Sequence, residues 1–169
     1  FSGDKHYISK SINAIRKWVS YLSKRQEEGF LFNGREHDWL LSDWLTPEET
    51  KIDCRYASEI CYFLSVKNLI KAERILYGKA GEDSLKRLEA LRGHINKLYF
   101  DQKNMRYSNG IQGETVLAMY AGLPDETHID GLNREIRKHY AKKNKYHLDT
   151  GIVFTPMLID YLTENGMRD

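Results

Sequence analysis

Two stretches of this chain carry almost no charge, and they limit what it can fold into more than any other feature. Residues 115–122 read TVLAMYAG and residues 152–162 read IVFTPMLIDYL. A helix built from either has little surface suited to water, so neighbours must cover most of its sides. The segments around them are of another kind. Ile8, Ile12, Ile15, Val19 and Leu22 recur at spacings of three and four, with Lys10, Arg16 and Lys17 between them, which places the apolar side chains on one helical face. Leu85, Leu88, Ile95 and Leu98 form a similar stripe, and so do Ile129, Leu132, Ile136 and Tyr140. These read as surface helices.

One more helix has its own punctuation. Thr46-Pro47-Glu48-Glu49 offers a capping hydroxyl, a proline at the first helical position and a Glu in capping-box register. Ile52, Tyr56, Ile60, Phe63 and Leu64 follow, and Gly78 offers a stop. Pro156 would break a helix interior, so it is expected in a first turn with Thr155 as cap. Tyr107 to Ile111, with Asn109-Gly110, reads as a turn. No strand pattern of useful length competes, and the fold class is all-α.

Charged amphipathic helices thus alternate with apolar ones, in hairpins covering residues 5–78, 82–121 and 126–164. Two concentric helical layers are written this way, the outer facing water and the inner facing neighbours. The architecture expected over residues 1–169 is an (α/α)6-toroid type arrangement of which three hairpins supply about half. It is a single all-helical domain or a fragment of such a barrel; a short helical solenoid is the other reading.

Composition closes off several functions. A chain of 169 residues that is 41% hydrophobic and 12% aromatic can bury a core. Its 26 basic and 24 acidic residues leave a net charge of +2, which gives no reason to expect nucleic acid as a partner. Lys142, Lys143 and Lys145 read as a solvated loop. No apolar stretch approaches the roughly 20 residues of a membrane span, so a soluble chain is expected. Phe1 is followed by no signal-like segment, and a start at Phe1 points to sequence removed upstream, which leaves the parent protein's compartment open. Cys54 and Cys61 on one helix would stand about 10 Å apart along its axis, too far for a disulfide, and both are expected as core thiols. The six histidines form no HExxH pattern, and Asp125, Glu126, His128 and Asp130 read as a first-turn charge cluster. There is no P-loop, GxGxxG or GxSxG. No metal or cofactor is expected.

The loops before the apolar helices are where chemistry can gather, because helix starts and rigidly held loops present functional groups. Before the second helix stands His37-Asp38-Trp39-Leu40-Leu41-Ser42-Asp43-Trp44-Leu45. Before the fourth stands Tyr107-Ser108-Asn109-Gly110-Ile111-Gln112-Gly113-Glu114, and before the sixth Tyr146-His147-Leu148-Asp149-Thr150-Gly151. Carboxylate beside indole suits a sugar: Asp accepts hydrogen bonds from vicinal hydroxyls while the indole stacks on the C–H face of the ring. The same residues have another reading, in which either Trp closes the loop as a core residue and either Asp serves a turn or cap.

These pieces, in this order, resemble a known family. SDWLTPEE, the helix through Tyr56-Ala57-Ser58, YFDQKNMRYSNGIQGETVLAMYAGL and YHLDTGIVFTPMLIDYLTENG look like the second part of the (α/α)6 catalytic domain of glycoside hydrolase family 78, the α-L-rhamnosidases. The likeness runs over most of residues 5–166. It implies that Asp43 and Trp44 lie at the sugar-binding end, with Trp44 an aromatic wall, and that Gln112 and His147 stand at the same end. It implies an inverting hydrolase acting on a rhamnose-containing glycan or glycoside, with acid and base carboxylates roughly 6.5–9.5 Å apart to admit water. In the family the acid lies upstream of anything like residue 1 and the base in a Thr-Thr-x-x-Glu-like motif downstream of His147, so the catalytic pair is not identified in this chain. REHDW at residues 35–39 stands too close to the Asp43-Trp44 loop to supply the acid. Phe154-Thr155-Pro156 replaces the small Gly-Thr of the family pattern, which alters the mouth of the site.

Two other functions stay open on the residues alone: a helical-repeat module gripping a protein or peptide, and another (α/α)-toroid carbohydrate-active enzyme. A half toroid would also expose apolar inner-helix surface along its open edge, and self-association is expected from it.

Overall fold

The computed structural model describes residues 5–26, 42–47, 51–142 and 145–167. Among these lie six helices: α1 (Lys5–Ser23), α2 (Cys54–Tyr77), α3 (Glu82–Tyr99), α4 (Gln112–Ala121), α5 (Glu126–Lys142) and α6 (Thr155–Glu164). A two-stranded antiparallel hairpin, β1 (Phe100–Asp101) and β2 (Arg106–Tyr107), joins α3 to α4. The hairpin is too short to carry period-two patterning, and the sequence shows only its turn residues.

The two layers are present. The apolar helices α2, α4 and α6 pack side by side, α4 in the middle, while α1 and α3 lie against α2 and α5 lies against α4. Helix α1 turns Ile12, Val19 and Leu22 inward, as its periodicity requires. In α4 every residue from Gln112 to Met119 is buried, and only Tyr120 is half-exposed before Ala121. Tyr56, Tyr62 and Phe63 of α2, Ile95 of α3, Leu117 of α4 and Leu158 of α6 are among the most deeply buried side chains of a continuous core. Each large apolar side chain so removed from water contributes about 1.5–3 kcal/mol.

Several local expectations are corrected. Helix α2 begins at Cys54 and not at Pro47: its cap is Asp53, whose carboxylate accepts from the Tyr56 N–H at 2.8 Å. Thr46 and Pro47 stand before that start, and Glu48 and Glu49 lie outside the described residues. The helix does end at Gly78, in the left-handed conformation (φ 75°), with its N–H donating to the Arg74 carbonyl. On α3 the inward residues are Leu91 and Ile95; Leu85 and Leu98 are exposed. Pro156 sits in the first turn of α6 as expected, but the residue preceding the helix is Phe154, and Thr155 is already helical. Helix α6 buries only Leu158 and Tyr161, leaving Ile159 half in water, because α4 covers it from one side. Cys61 is exposed and Cys54 half-buried, so neither is a core thiol.

An ion pair between a half-exposed arginine and a buried glutamate ties the layers together. Glu73 of α2 accepts from the Arg16 guanidinium of α1 at 3.1 Å and from the Gly81 N–H at 2.9 Å, at the start of α3. Burial alone would raise the Glu73 carboxyl; the Gly81 N–H, Arg16 and Ser84 outweigh it and hold the pKa below the ordinary value.

Candidate functional site

The starts of the three apolar helices meet at one end of the molecule, and carboxylates bind them to one another. Asp149, just before α6, accepts from the backbone N–H groups of Gln112 (2.9 Å) and Gly113 (3.0 Å) at the start of α4. Glu114, in the first turn of α4, accepts from the N–H of Asp53 at 3.0 Å, at the start of α2, and from that of Asn109 at 2.8 Å. Asp43, in the loop before α2, accepts from the N–H groups of Gly151, Val153 (2.9 Å) and Phe154 (3.3 Å) leading into α6. The three form a closed circuit, each helix start receiving a negative charge from a neighbouring hairpin. Unpaired N–H groups and the positive end of the helix dipole make that the favourable place for a carboxylate.

The circuit leaves its carboxylates occupied. Glu114 has no exposed surface, and burial raises its pKa in spite of the N–H groups of Asp53, Asn109 and Ile111 and the Ser108 hydroxyl, which pull it down. Tyr56, also fully buried, donates its hydroxyl hydrogen to the Glu114 carbonyl at 2.6 Å. Burial carries the Tyr56 pKa well above its ordinary value, with the Glu114 charge adding to the effect. Both groups brace the helix junction.

The four residues singled out from the sequence have different surroundings. Asp43 is half-buried and turned onto the entry of α6. Trp44, beside it, is 55% exposed. Its carbonyl accepts from the Ile152 N–H at 2.8 Å. That oxygen lies so close to Gly151 that any Cβ there would collide with it, so glycine is what lets the Trp44 loop rest on the strap before α6. His147 is exposed, on the same strap. The strap is launched by Tyr146, in the left-handed region (φ 66°), which packs edge-on against Tyr140 of α5. Gln112, by contrast, is 1% exposed. Its side chain lines a cavity with Arg106, Thr115, Glu135 and His139, and Trp44 is not among the walls. The Asp43 carboxylate and the Trp44 carbonyl therefore join their loop to the His147 strap, while Gln112 meets Asp149 of that strap through its backbone N–H. The segment His37 to Leu41 lies outside the described residues.

The sequence reading did not pick out Asp149 or Glu114 as the groups joining the helix starts. Both stood in the loops considered, and their signal was position: a carboxylate within a few residues of an apolar helix start.

In chemical terms this end offers an exposed indole and an exposed imidazole, with Leu45, Ile152 and Val153 also exposed on the same two joined segments. An indole face takes the C–H side of a sugar ring, and an imidazole exchanges hydrogen bonds with hydroxyls. The carboxylates of the circuit are turned onto backbone N–H groups at the helix starts. Among the described residues no group of His, Cys, Asp and Glu is placed to hold a metal ion.

The chain is similar to known proteins over its whole length. A family model described as bacterial alpha-L-rhamnosidase 6 hairpin glycosidase domain matches residues 1–169. Among solved structures, the chain is similar to the Streptomyces avermitilis α-L-rhamnosidase complexed with L-rhamnose, with a TM-score of 0.83 and 20% identity over 99% of this chain and 15% of that one. It is similar to the Dictyoglumus thermophilum α-L-rhamnosidase, with a TM-score of 0.77 and 23% identity over 97% of this chain and 19% of the other. The native Aspergillus terreus enzyme gives 0.80 and 19% over 99% and 20%. These likenesses establish the fold, and the chain spans a fifth or less of each of these relatives. No curated protein matches it.

Proposed function

We propose, since the chain belongs to the bacterial α-L-rhamnosidase six-hairpin glycosidase domain family, that it supplies part of the sugar-binding end of an inverting α-L-rhamnosidase-like hydrolase. Trp44 and His147 face the rhamnosyl unit, the indole as a wall and the imidazole as a hydrogen-bonding partner. Asp43 holds the Trp44 loop on the α6 strap, and Gln112 supports the same end from within α4. The observation that carries this reading is the convergence of three inner helix starts with Trp44 left exposed beside them. The Streptomyces relative, complexed with L-rhamnose, supports the choice of sugar.

The acid and base come from elsewhere in the parent enzyme. Asp43, Glu114 and Asp149 are each turned onto backbone N–H groups at the helix starts, which makes them positioning residues. The chain incubated with an aryl α-L-rhamnoside therefore gives no turnover, yet binds L-rhamnose and loses that binding on Trp44→Ala. Turnover abolished by Asp43→Asn would overturn the assignment of Asp43 as a positioning residue. The helical-repeat reading is not favoured by the family match.

Self-association belongs to the same proposal. Helix α1 shows Tyr7, Trp18 and Tyr21 to water, and the α6 edge shows Ile152, Val153 and Ile159. These are the two ends of the arc, and apolar surface there favours contact between copies. Sedimentation of the 169-residue chain should show a concentration-dependent dimer or higher species; a monomer at all concentrations would end this part. Among the described residues no helix is long and apolar enough to cross a membrane.

A further inference from the structure

Helix α6 shows water a face that the described residues of its own chain do not cover. Pro156, Ile159, Asp160 and Glu164 fall on one side of the helix and are all exposed. Ile152 and Val153, also exposed, continue the apolar part just before it. The two carboxylates are four residues apart, which sets them about 6 Å apart along the axis. Neither forms an ion pair among the described residues.

The opposite chemistry lines an open groove of about 620 Å³ where α2, α3 and α4 meet. Lys67, Lys71 and Arg74 of α2 are exposed along one wall, and their spacing of four and three residues sets successive cations about 6 and 4.5 Å apart along the axis. Leu85 and Leu88 of α3 and Tyr120 of α4 give an apolar floor, and no carboxylate stands among the described residues of the lining. Lys67 donates to the Ala121 carbonyl at 2.8 Å, at the end of α4. Burial, together with the charges of Arg92 and Lys71, lowers its pKa, as crowding of like charges does. Arg74 forms no ion pair among the described residues. An acidic helix with an apolar centre would match both the charge and the floor of this groove.

We propose that the groove takes a second copy of this chain: the exposed face of α6 in one copy docks in the α2–α3–α4 groove of the other, Asp160 and Glu164 against Lys71 and Arg74, and Ile159 over Leu85 and Leu88. This rests on the self-association reading above and names the two surfaces that meet. The contact is heterologous, since unlike faces of the two copies come together. Its charges make it sensitive to salt, which a contact between the apolar ends of the arc alone would not be.

The test is sedimentation velocity of the full 169-residue chain at about 0.05 and 0.5 M salt. Association should weaken at the higher salt. Glu164→Lys and Arg74→Glu should each weaken it about tenfold, and the two reversals combined in one chain should restore most of it. Both side chains are exposed, so each variant must keep the parent's melting temperature within a few degrees; Arg74→Ala serves if a negative charge at the end of α2 unfolds the chain. Association that ignores salt and both reversals yet is lost on Trp18→Ala would overturn this proposal and leave self-association standing. A monomer at every concentration would overturn both. A monomer that binds poly-L-glutamate, and loses that binding on Arg74→Glu, would give the groove to another acidic partner and overturn the pairing of copies.

Discussion

Helices α4 and α6 are each ten residues long and similarly apolar, yet they end in different circumstances. Nine of the ten residues of α4 are buried, whereas α6 buries two. The difference is in their neighbours: α4 lies between α2, α5 and α6, and α6 has α4 as its main contact. Composition records how much cover a helix was made for, and the difference between that and the cover it has marks an edge. In this chain the edge is α6, next to the strap that carries His147.

The sharpest way to break the comparison is to cut the same kind of side chain from each helix. Leu117→Ala in α4 should cost about 2–5 kcal/mol, read by urea unfolding. Ile159→Ala in α6 should stay within about 0.5 kcal/mol. Equal costs would mean that α6 is covered in solution, and self-association would be the first explanation to check.

Gly151→Ala comes next, at about 1–3 kcal/mol for forcing atoms into filled space. It should displace the Trp44 loop, so a changed Trp emission should accompany the lower stability. A normal spectrum would show that the loop does not rest on the strap.

The carboxylate circuit gives a smaller effect. Asp149→Asn removes a nearly buried acceptor from the α4 start and should cost about 1–2 kcal/mol. Asp43→Asn at the looser α6 edge should cost less, and the reverse order would contradict the account of α6.

The smallest effect is in pH dependence, and two buried glutamates give opposite signs. Glu114 has a raised pKa, so the folded state holds its proton more tightly than the unfolded one. Its contribution is complete below the unfolded pKa and is lost as pH rises through the raised folded value. Glu73 has a lowered pKa, so its contribution is present above the unfolded value and lost as pH falls through the lowered folded value. Glu114→Gln should flatten the first dependence and Glu73→Gln the acid limb, both measured as melting temperature against pH.

The layers were legible in the sequence because they depend on periodicity and charge, which lie in short windows. Ile12, Val19 and Leu22 point inward as their spacing demands, and Leu132 and Ile136 do the same in α5. Helix starts were less legible. Thr46-Pro47-Glu48-Glu49 has the residues of a cap, but Asp53 takes that place, its own N–H bound to Glu114 from 61 positions away. A partner so distant leaves no trace in a local pattern. The same applies to Gln112, whose burial follows from α5 and the hairpin closing over the α4 start, and to Asp43, whose partners are 108 to 111 residues later.

The central claim is that sugar meets the exposed indole beside the helix junction. The chain has three tryptophans, and their indole N–H signals can be followed separately while L-rhamnose is added. The Trp44 signal should move and saturate, while that of Trp18, on the outer face of α1 and hydrogen-bonded to Ser65, should stay in place. Movement of Trp18 with Trp44 unchanged, or no saturable response from Trp44, would contradict the account.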